Sequence, residues 1–521
     1  MTKGTPTENL DMFPARPSTA GMTTKVVKGS LWTLAGQVAP LMVSLGTTPF
    51  TIRLLGAEGY GVFILIGLIP IYLGFADFGM SMASTKFGSE AYAEGDEEKE
   101  ARIVRTAALI ALMTSVPVAA LLMIFAPQLI GLFNVPPVYT ADAILALRLA
   151  SITFVINFLC GIFNTPQLAR LRMDLNTLVN ASSRILGLIA TPIVLYLGYG
   201  IVGAITVLLA ASLLNLAGHL IASRKHLTML FGFRIEPSLL PAMAKFGFGV
   251  IAAGIAGLLL ANVEKGVLSS LASVKELAFY SVAFIVASSI TMFSSAMSQS
   301  LMPAFSQLNR GGQSDDSISF LFSTVVRLNI IWLLPASVFL ILVAETFFTI
   351  WAGSEFGQGS TAPFYVLLIG LAFHVVTYIP FTLLMAAGRS DLIAKIYWAE
   401  LFPYLLLVWL LVSRFGAVGA AAAWSMRIIA DCLILLFATR RLTGIKLEYL
   451  PVVRILLAGS ILAIPGFLMF LTSLPISVVG FVYLVFAVLY GFLLWRFVLT
   501  RSEIDWLRLR ISGLASFRFN T

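Results

Sequence analysis

The chain has 521 residues, of which 59% are hydrophobic and only 11% are charged. Soluble proteins are about 45–50% apolar and about 25% charged, so a soluble fold of this composition would expose an aggregation-prone apolar surface. The net charge of +9 does not indicate nucleic acid binding, because the basic residues lie between apolar segments and not on a basic domain. Composition therefore predicts a polytopic membrane protein without a nucleic acid partner.

Cofactor and metal chemistry have few residues to draw on. The two cysteines, Cys160 and Cys432, lie in apolar runs and only three histidines are present, so we predict no metal site and no cofactor. Gly198, Gly200 and Gly203 spell the dinucleotide-binding G-x-G-x-x-G, but no strand precedes them, which favours a turn. No P-loop sequence occurs, so any energy for transport is expected from a gradient, a potential or a partner.

Long apolar runs predict the membrane spans. A helix needs about 20 mostly apolar residues to cross a bilayer, and fourteen runs of this kind occur. They lie near residues 29–50, 60–83, 103–126, 143–165, 178–198, 200–222, 246–271, 278–302, 320–344, 362–386, 392–413, 417–439, 451–471 and 475–498. The predicted fold class is an all-α polytopic membrane protein of about fourteen helices.

Lysine and arginine are distributed unevenly over the alternate connections. One side of the predicted membrane carries 27 of them and the other side 4, while Arg148, Arg184 and Arg427 fall within spans. Cytoplasmic connections of membrane proteins carry the positive excess. We therefore predict a multi-pass membrane protein with both termini in the cytoplasm.

The spans divide the chain into six segments. No connection is longer than about 20–25 residues, which is too short for a catalytic domain, so we predict that the protein is not an enzyme. The segments are a disordered cytosolic tail (1–28), an N-terminal six-helix bundle (29–223), a cytosolic linker (224–245), a C-terminal six-helix bundle (246–441), an extra helix pair (442–499) and a cytosolic amphipathic tail (500–521).

An internal repeat relates the two bundles. The sequence YGIVGA at 199–204 resembles FGAVGA at 415–420, and ASRK at 222–225 resembles ATRR at 438–441, both at an offset of 216 residues. Upstream, RMDL at 172–175 resembles RSDL at 389–392 at an offset of 217. Because each half holds an even number of spans, we expect the halves to be related by a pseudo-two-fold axis along the membrane normal. Two such bundles around a cleft are typical of transporters.

Several short sequences resemble one family of exporters. They are KGSLW at 28–32, RLLGAEGYGVF at 53–63, ADFGM at 76–80 and FYSVA at 279–283. Together they resemble the polysaccharide flippases, which include O-antigen, capsule and exopolysaccharide exporters. That family belongs to the multidrug/oligosaccharidyl-lipid/polysaccharide exporter superfamily. The resemblance covers the first 440 residues.

This resemblance implies the function. It implies translocation of a polyprenyl-diphosphate-linked oligosaccharide from the inner to the outer leaflet of a bacterial plasma membrane, for lipopolysaccharide or exopolysaccharide synthesis. The implied partners are this lipid-linked oligosaccharide, membrane lipids, a coupling H⁺ or Na⁺, a polysaccharide polymerase and glycosyltransferases. A multidrug cation antiporter of the same superfamily is the alternative transporter, and a membrane glycan polymerase or ligase is the alternative of another class.

Ionisable residues within spans are the candidate functional residues. The cations fit a diphosphate or a gate, and the acids fit coupling or gating. The cations are Arg53, Arg184, Lys265 and Arg427, and the acids are Asp77, Glu264, Glu400 and Asp431. A structural tie between helices is the alternative for each of them.

Four of these candidates allow a more specific expectation. Arg427 and Asp431 are spaced i, i+4 and permit a salt bridge on one helix face. The repeat makes Arg184 and Glu400 equivalent, at an offset of 216, and an inner gate between them is one hypothesis. Local pairing of each residue within its own bundle is the other.

Overall fold

The structure is a computed structural model. It describes residues 19–227, 229–232, 234–292, 294–295, 298, 301, 305, 315–445, 449–470, 472 and 475–498. Within these ranges the chain is almost entirely helical and contains no strand. Twelve of the described segments are long and apolar enough to cross a membrane. The fold class predicted from the sequence, an all-α polytopic membrane protein, is confirmed.

Fifteen α-helices can be followed through the described ranges. The first half contains α1 (Thr19–Tyr72), α2 (Met80–Glu94), α3 (Glu97–Ile124), α4 (Ala126–Gly131), α5 (Pro137–Phe163), α6 (Thr165–Ala169), α7 (Met173–Tyr196) and α8 (Gly200–Arg224). The second half contains α9 (Leu240–Leu271), α10 (Val274–Ser288), α11 (Asp315–Ala352), α12 (Ser354–Ala386) and α13 (Ser390–Thr443). A final pair follows, α14 (Tyr449–Phe470) and α15 (Ile476–Leu493).

The two longest helices each reverse direction at one glycine. Gly56 in α1 has φ 69° and ψ 176°, and Gly416 in α13 has φ 52° and ψ −128°, conformations that only glycine adopts readily. The Tyr60 hydroxyl contacts Thr48, which would lie about 18 Å away along an unbroken helix. A Cβ on Gly419 would lie 2.1 Å from the carbonyl oxygen of Leu411. Each long helix is thus a hairpin, which is compatible with fourteen spans, although that number stays a prediction.

The local structure repeats where the sequence repeats. Leu171 and Gly388 both adopt the left-handed conformation, with φ 55° and 73°. The next backbone amides, of Arg172 and Arg389, each donate to a carbonyl five residues earlier over 2.9 Å. Such a turn satisfies the last carbonyls of one helix before the next helix begins. The pseudo-two-fold axis itself stays a prediction.

The connections lie at two ends of the helix bundle. We call one end the Gly56 face; it carries the connections at Gly56, Asn134, Ala272, Gly353 and Gly416. The opposite end, the Gly95 face, carries those at Gly95, Leu171, Gly232, Gly388 and Gly444. At the Gly56 face the halves are joined by Asn134, whose side-chain amide donates to the carbonyls of Ser270 (2.8 Å) and Ala272 (3.0 Å).

The halves also pack closely near the Gly56 face. A Cβ on Gly61 would lie 1.8 Å from the carbonyl oxygen of Val274. The backbones of α1 and α10 are therefore too close at this point for any residue other than glycine. Beside this contact, Phe356 stacks edge-on against Tyr60 from the first half and Phe279 from the second. The main buried core therefore extends across both halves.

The boundaries differ from the prediction at several places. Helix α1 begins at Thr19, so residues 19–28, predicted to belong to a disordered tail, are helical. The predicted span 60–83 is interrupted, because a short 3₁₀ turn at Gly74–Asp77 separates α1 from α2. Helix α9 begins at Leu240, inside the predicted linker. The predicted amphipathic tail 500–521 lies outside the described residues.

Candidate substrate cavity and charged clusters

A cavity of about 770 Å³ lies within the first half, between the second arm of α1 and helices α5, α7 and α8. We call it the N-half cavity. Most of its lining is apolar, but one set of polar side chains reaches it from α5, α7 and α8. This set comprises Thr153, Asn157, Asn180, Ser183, Arg184, Ser212 and Asn215. An apolar cavity with a few convergent polar groups is the usual form of a ligand site.

Arg184 is the only charged side chain that lines the described N-half cavity. It is exposed, and no hydrogen bond or ion pair engages it within the part of the chain that the structure describes. A guanidinium offers a planar fork of donors that matches phosphate oxygens. Beside it, the exposed carboxamide of Asn157 is also available to a ligand.

A chain of hydrogen bonds connects buried residues behind the cavity wall to residues that line the cavity. We call it the N-half relay, and it consists of Gln167, His219, Asn180 and Asn215. Gln167 Nε2 lies 3.1 Å from His219 Nδ1, and His219 Nε2 lies 3.3 Å from Asn180 Oδ1. Asn215 Nδ2 donates to the same Asn180 Oδ1 over 3.2 Å. Gln167 and His219 are fully buried, whereas Asn180 and Asn215 line the cavity.

A second cavity, of about 420 Å³, lies between the two arms of α13 in the second half. We call it the C-half cavity. Ile396, Ala399 and Glu400 line it, and an offset of 216 makes them the equivalents of Asn180, Ser183 and Arg184. Its other lining residues are mostly apolar. Equivalent residues thus line two cavities of different character: one has several polar side chains and an unpaired cation, and the other has fewer polar side chains and an ion pair.

Two charged residues that line the C-half cavity form an ion pair. Arg427 Nη1 lies 3.6 Å from Glu400 Oε2, and both side chains are almost fully buried. The closest carboxylate to Arg427 is thus Glu400 and not Asp431, although the i, i+4 spacing permits a bridge to Asp431. Asp431 is buried next to Glu400. The reason is geometric: the reversal at Gly416 brings the first arm of α13 against the second.

Glu264 lies deeper in the second half and is fully buried. Its two carboxyl oxygens each accept a hydrogen bond from a tyrosine, Oε1 from Tyr280 (3.1 Å) and Oε2 from Tyr404 (2.9 Å). The ring of Tyr404 also lies 5.5 Å from the Arg427 guanidinium. Glu264 therefore connects α9, α10 and α13. Tyr404 contacts both Glu264 and Arg427 and so links Glu264 to the C-half cavity.

Lys265, the next residue, points elsewhere. Its ammonium donates to Asn262 Oδ1 over 3.0 Å and lies 5.1 Å from the ring centre of Phe284. The backbone carbonyl of Asn262 accepts a hydrogen bond from Tyr72 in the first half (2.6 Å). Glu264 and Lys265 do not pair with each other in these contacts, as expected from neighbouring positions on a helix.

The remaining two candidates hold elements together. Arg53 Nη2 donates to the carbonyl of Ile350 over 2.7 Å, and Trp351 Nε1 donates to the carbonyl of Leu45 over 2.9 Å. These two bonds join α1 to α11 and therefore join the halves. Asp77 caps α2: its carboxylate accepts from the backbone amide of Gly79 (2.8 Å) and from the hydroxyl of Ser81 (2.9 Å).

Arg184 and Glu400 do not form a gate in this conformation. Arg184 faces the N-half cavity, whereas Glu400 is beside Arg427 in its own half. For Glu400 the geometry corresponds to pairing within its own half. Arg184 has no ion-pair partner among the described residues.

Sequence reasoning missed two polar groups. One is the N-half relay, none of whose members is an ionisable candidate named from the sequence. The other is the ion pair of Glu100 and Arg170, in which both guanidinium nitrogens donate to the carboxylate over 2.6 and 3.0 Å, with 1% and 9% of the side chains exposed. Both residues lie between the predicted spans, and the spacing of 70 residues offered no signal of contact. No cluster of metal-binding side chains occurs among the described residues.

The helical fold, the apolar spans and the two related cavities define a multi-pass membrane protein with a transporter fold. The sequence profile of the family described as "Polysaccharide biosynthesis protein" matches residues 26–309, which is more than half of the chain. The chain therefore belongs to that family.

Individual relatives are consistent with this family. The chain is 24% identical over 422 residues to a Shigella flexneri protein named "Putative O-antigen transporter", covering 81% of this chain and 99% of the relative. Its fold is similar to that of the lipid II flippase MurJ in an inward closed conformation, with a TM-score of 0.70, 16% identity and coverage of 93% and 99% of the two chains. It is also similar to an inward-facing multidrug resistance MATE transporter, with a TM-score of 0.64, 13% identity and coverage of 80% and 94%.

Proposed function

We propose that the protein is a flippase that moves a polyprenyl-diphosphate-linked oligosaccharide from the inner to the outer leaflet of the bacterial plasma membrane, for surface polysaccharide synthesis. One observation carries this proposal: an unpaired guanidinium, Arg184, lies in a cavity whose other polar groups are amides and hydroxyls. A diphosphate is a natural partner for the guanidinium, and sugar hydroxyls are natural partners for amides. Family membership supports the same assignment.

The proposed mechanism is alternating access between the two halves. With both termini in the cytoplasm, as the positive charges predict, the Gly56 face is extracytoplasmic. The contacts of Arg53, Asn134 and Trp351 across the halves then hold the outer side closed while cargo enters from the inner side. Opening outward breaks these few hydrogen bonds to backbone carbonyls.

Coupling and partners complete the proposal. A gradient of H⁺ or Na⁺ drives the cycle, and the buried acids Glu264, Glu400 and Asp431 are the residues through which an ion acts. Asp77, Lys265 and Arg427 are further gating or binding candidates. Cargo arrives from cytoplasmic glycosyltransferases and leaves to a polymerase. The chain itself performs no covalent chemistry in this scheme.

A multidrug cation antiporter is the second candidate, and the C-half cavity is the observation that favours it. This cavity is largely apolar, with the carboxyl of Glu400 and the ring of Tyr404 in its lining, which suits an organic cation. Arg427 in the same lining opposes a cationic ligand. The flippase is therefore the better supported of the two.

Complementation of a deletion strain tests the proposal. We expect deletion to abolish a surface glycan and leave its lipid-linked repeat unit on the cytoplasmic leaflet, with drug susceptibility nearly unchanged. Arg184→Gln should fail to restore the glycan. Arg148→Gln is the matched control, because Arg148 is an exposed arginine that donates to the Met123 carbonyl (3.3 Å) and does not line the cavity. A normal glycan with new sensitivity to cationic dyes would instead establish the antiporter.

A further inference from the structure

The N-half relay has a direction that follows from its donors and acceptors. Asn180 Oδ1 can only accept, so His219 Nε2–H donates to it. In the neutral ring Nδ1 is then an acceptor and takes a hydrogen bond from the amide nitrogen of Gln167 (3.1 Å), although Gln167 Oε1 also lies 3.3 Å from Nδ1. Asn180 in turn uses its own amide nitrogen on Asn176, donating to Oδ1 over 2.8 Å. Asn180 is thus fixed from both ends, and its Oδ1 can only accept.

Asn215 receives its orientation from this arrangement. Its amide nitrogen must face Asn180 Oδ1 in order to donate over 3.2 Å. Its carbonyl oxygen, Oδ1, therefore faces away from Asn180, and it has no hydrogen-bond partner within the described structure. This oxygen is covered by neighbouring atoms in the present conformation, while the side chain as a whole lines the N-half cavity. The relay thus leaves one buried acceptor unused at the cavity wall.

The second half shows that the fold does not need this relay. At the repeat offsets of 216 and 217 residues, Gln167, His219 and Asn180 correspond to Leu384, Leu435 and Ile396. Leu384 and Leu435 are fully buried in one apolar cluster. The same helices therefore pack with hydrocarbon at these places. Replacing buried polar groups by well-packed apolar ones is often neutral or stabilising, so stability alone does not account for the relay.

We infer that the relay is a specificity device for the cargo headgroup: Asn215 Oδ1 accepts a hydrogen bond from a hydroxyl or amide N–H of the sugar attached to the diphosphate. Arg184 binds the diphosphate in the same cavity. His219 and Gln167 are positioning residues, which act on the sugar through Asn180 and Asn215. This inference rests on the proposed function. It adds the requirement that the first sugar of the cargo carries a hydrogen-bond donor for Asn215 Oδ1.

Binding of two probes to the full-length protein in nanodiscs tests the inference. The probes are undecaprenyl diphosphate and undecaprenyl diphosphate carrying N-acetylglucosamine. We expect the wild type to prefer the glycosylated probe. Asn215→Leu should lower that preference about tenfold, the value of one hydrogen bond, while affinity for the bare diphosphate stays the same. Arg184→Gln should weaken the binding of both probes.

A relay variant separates recognition from folding. Gln167→Leu with Asn180→Ile and His219→Leu copies the C-half residues, so we expect an unchanged or higher melting temperature and loss of the preference. His219→Gln keeps a donor toward Asn180 and should retain part of the preference, whereas His219→Leu should not.

The outcomes distinguish this inference from the proposed function. Equal binding of both probes to the wild type, or an undiminished preference in Asn215→Leu, overturns the inference and leaves the flippase proposal standing. Failure of the wild type to bind either probe overturns both. If the triple variant does not fold, the single variants decide. Equal probe preference in His219→Gln and His219→Leu would then overturn the inference.

Discussion

Arg184 and Glu400 occupy equivalent positions in the two halves, and only Glu400 lies beside an opposite charge, with its carboxylate 3.6 Å from Arg427. Both halves thus carry a charged side chain at this position, and only the one in the second half, Glu400, forms an ion pair. The pairing has a direct consequence for charge exchange between the halves.

We predict that exchanging the two charges does not restore function. Arg184→Glu removes the guanidinium from the N-half cavity, and Glu400→Arg places a second guanidinium beside Arg427. The double variant should export no more glycan than the worse single variant, measured by surface glycan in the deletion strain. Partial recovery in the double variant would show that the two residues meet in another conformation.

The charged residues of the C-half cavity should behave as one unit in stability. Glu400→Ala leaves the buried Arg427 with only Asp431 nearby, and removing one partner of a buried ion pair destabilises by about 3–5 kcal/mol. Replacing all three charges, with Glu400→Gln, Arg427→Met and Asp431→Asn, should recover most of that loss. Thermal unfolding of the purified protein in detergent measures both effects, and an additive loss in the triple variant would contradict the prediction.

The ion pair of Glu100 and Arg170 should be important for stability. Both side chains are buried and doubly hydrogen-bonded, so Glu100→Gln is expected to lower the unfolding free energy by about 3–5 kcal/mol. Lys99→Ala is the matched control: its partner is Glu94, both side chains are partly exposed, and the expected loss of stability is much smaller. Similar melting temperatures for the two variants would rule out a special role for the buried pair.

Gly61 tests the close approach of the halves. A methyl group there would meet the carbonyl of Val274, which cannot move without shifting α10. We expect Gly61→Ala to destabilise the closed Gly56 face by about 1–3 kcal/mol, as overpacking does. Gly46→Ala in the same helix is the control, because nothing lies within 4 Å of the added group. Labelling of Asn134→Cys by a membrane-impermeant maleimide should increase only in the Gly61 variant.

The orientation can be measured with reporter fusions. A C-terminal alkaline phosphatase fusion should be inactive, and a fusion after Asn134 on the Gly56 face should be active, because the positive residues predict cytoplasmic termini. Activity of the C-terminal fusion would reverse the assignment of the faces or change the number of spans.

The sequence predicted the helices better than the contacts between them. Apolar length identifies a span even where prolines such as Pro117 and Pro335 lie inside the helix. Contacts depend on which face of each helix meets its neighbour, and apolar residues surround most of these helices, so no periodicity identifies the inward face. For this reason the sequence did not indicate that Glu400 lies nearest to Arg427, and the contact of His219 with Asn180 was not anticipated. The repeat offset was the more useful signal, since it aligned the two cavities.

The reversals at Gly56 and Gly416 restrict how the protein can move. Each joins two helix arms through a single residue, so the arms of one hairpin have almost no slack to slide or separate. A change of access must therefore carry each hairpin as one body and find its flexible points elsewhere. The stretch between Tyr72 and Met80 and the described residues between Arg224 and Leu240 are two places where the backbone leaves the α-helical conformation. Hinges at these places would let whole hairpins swing while their internal packing stays unchanged.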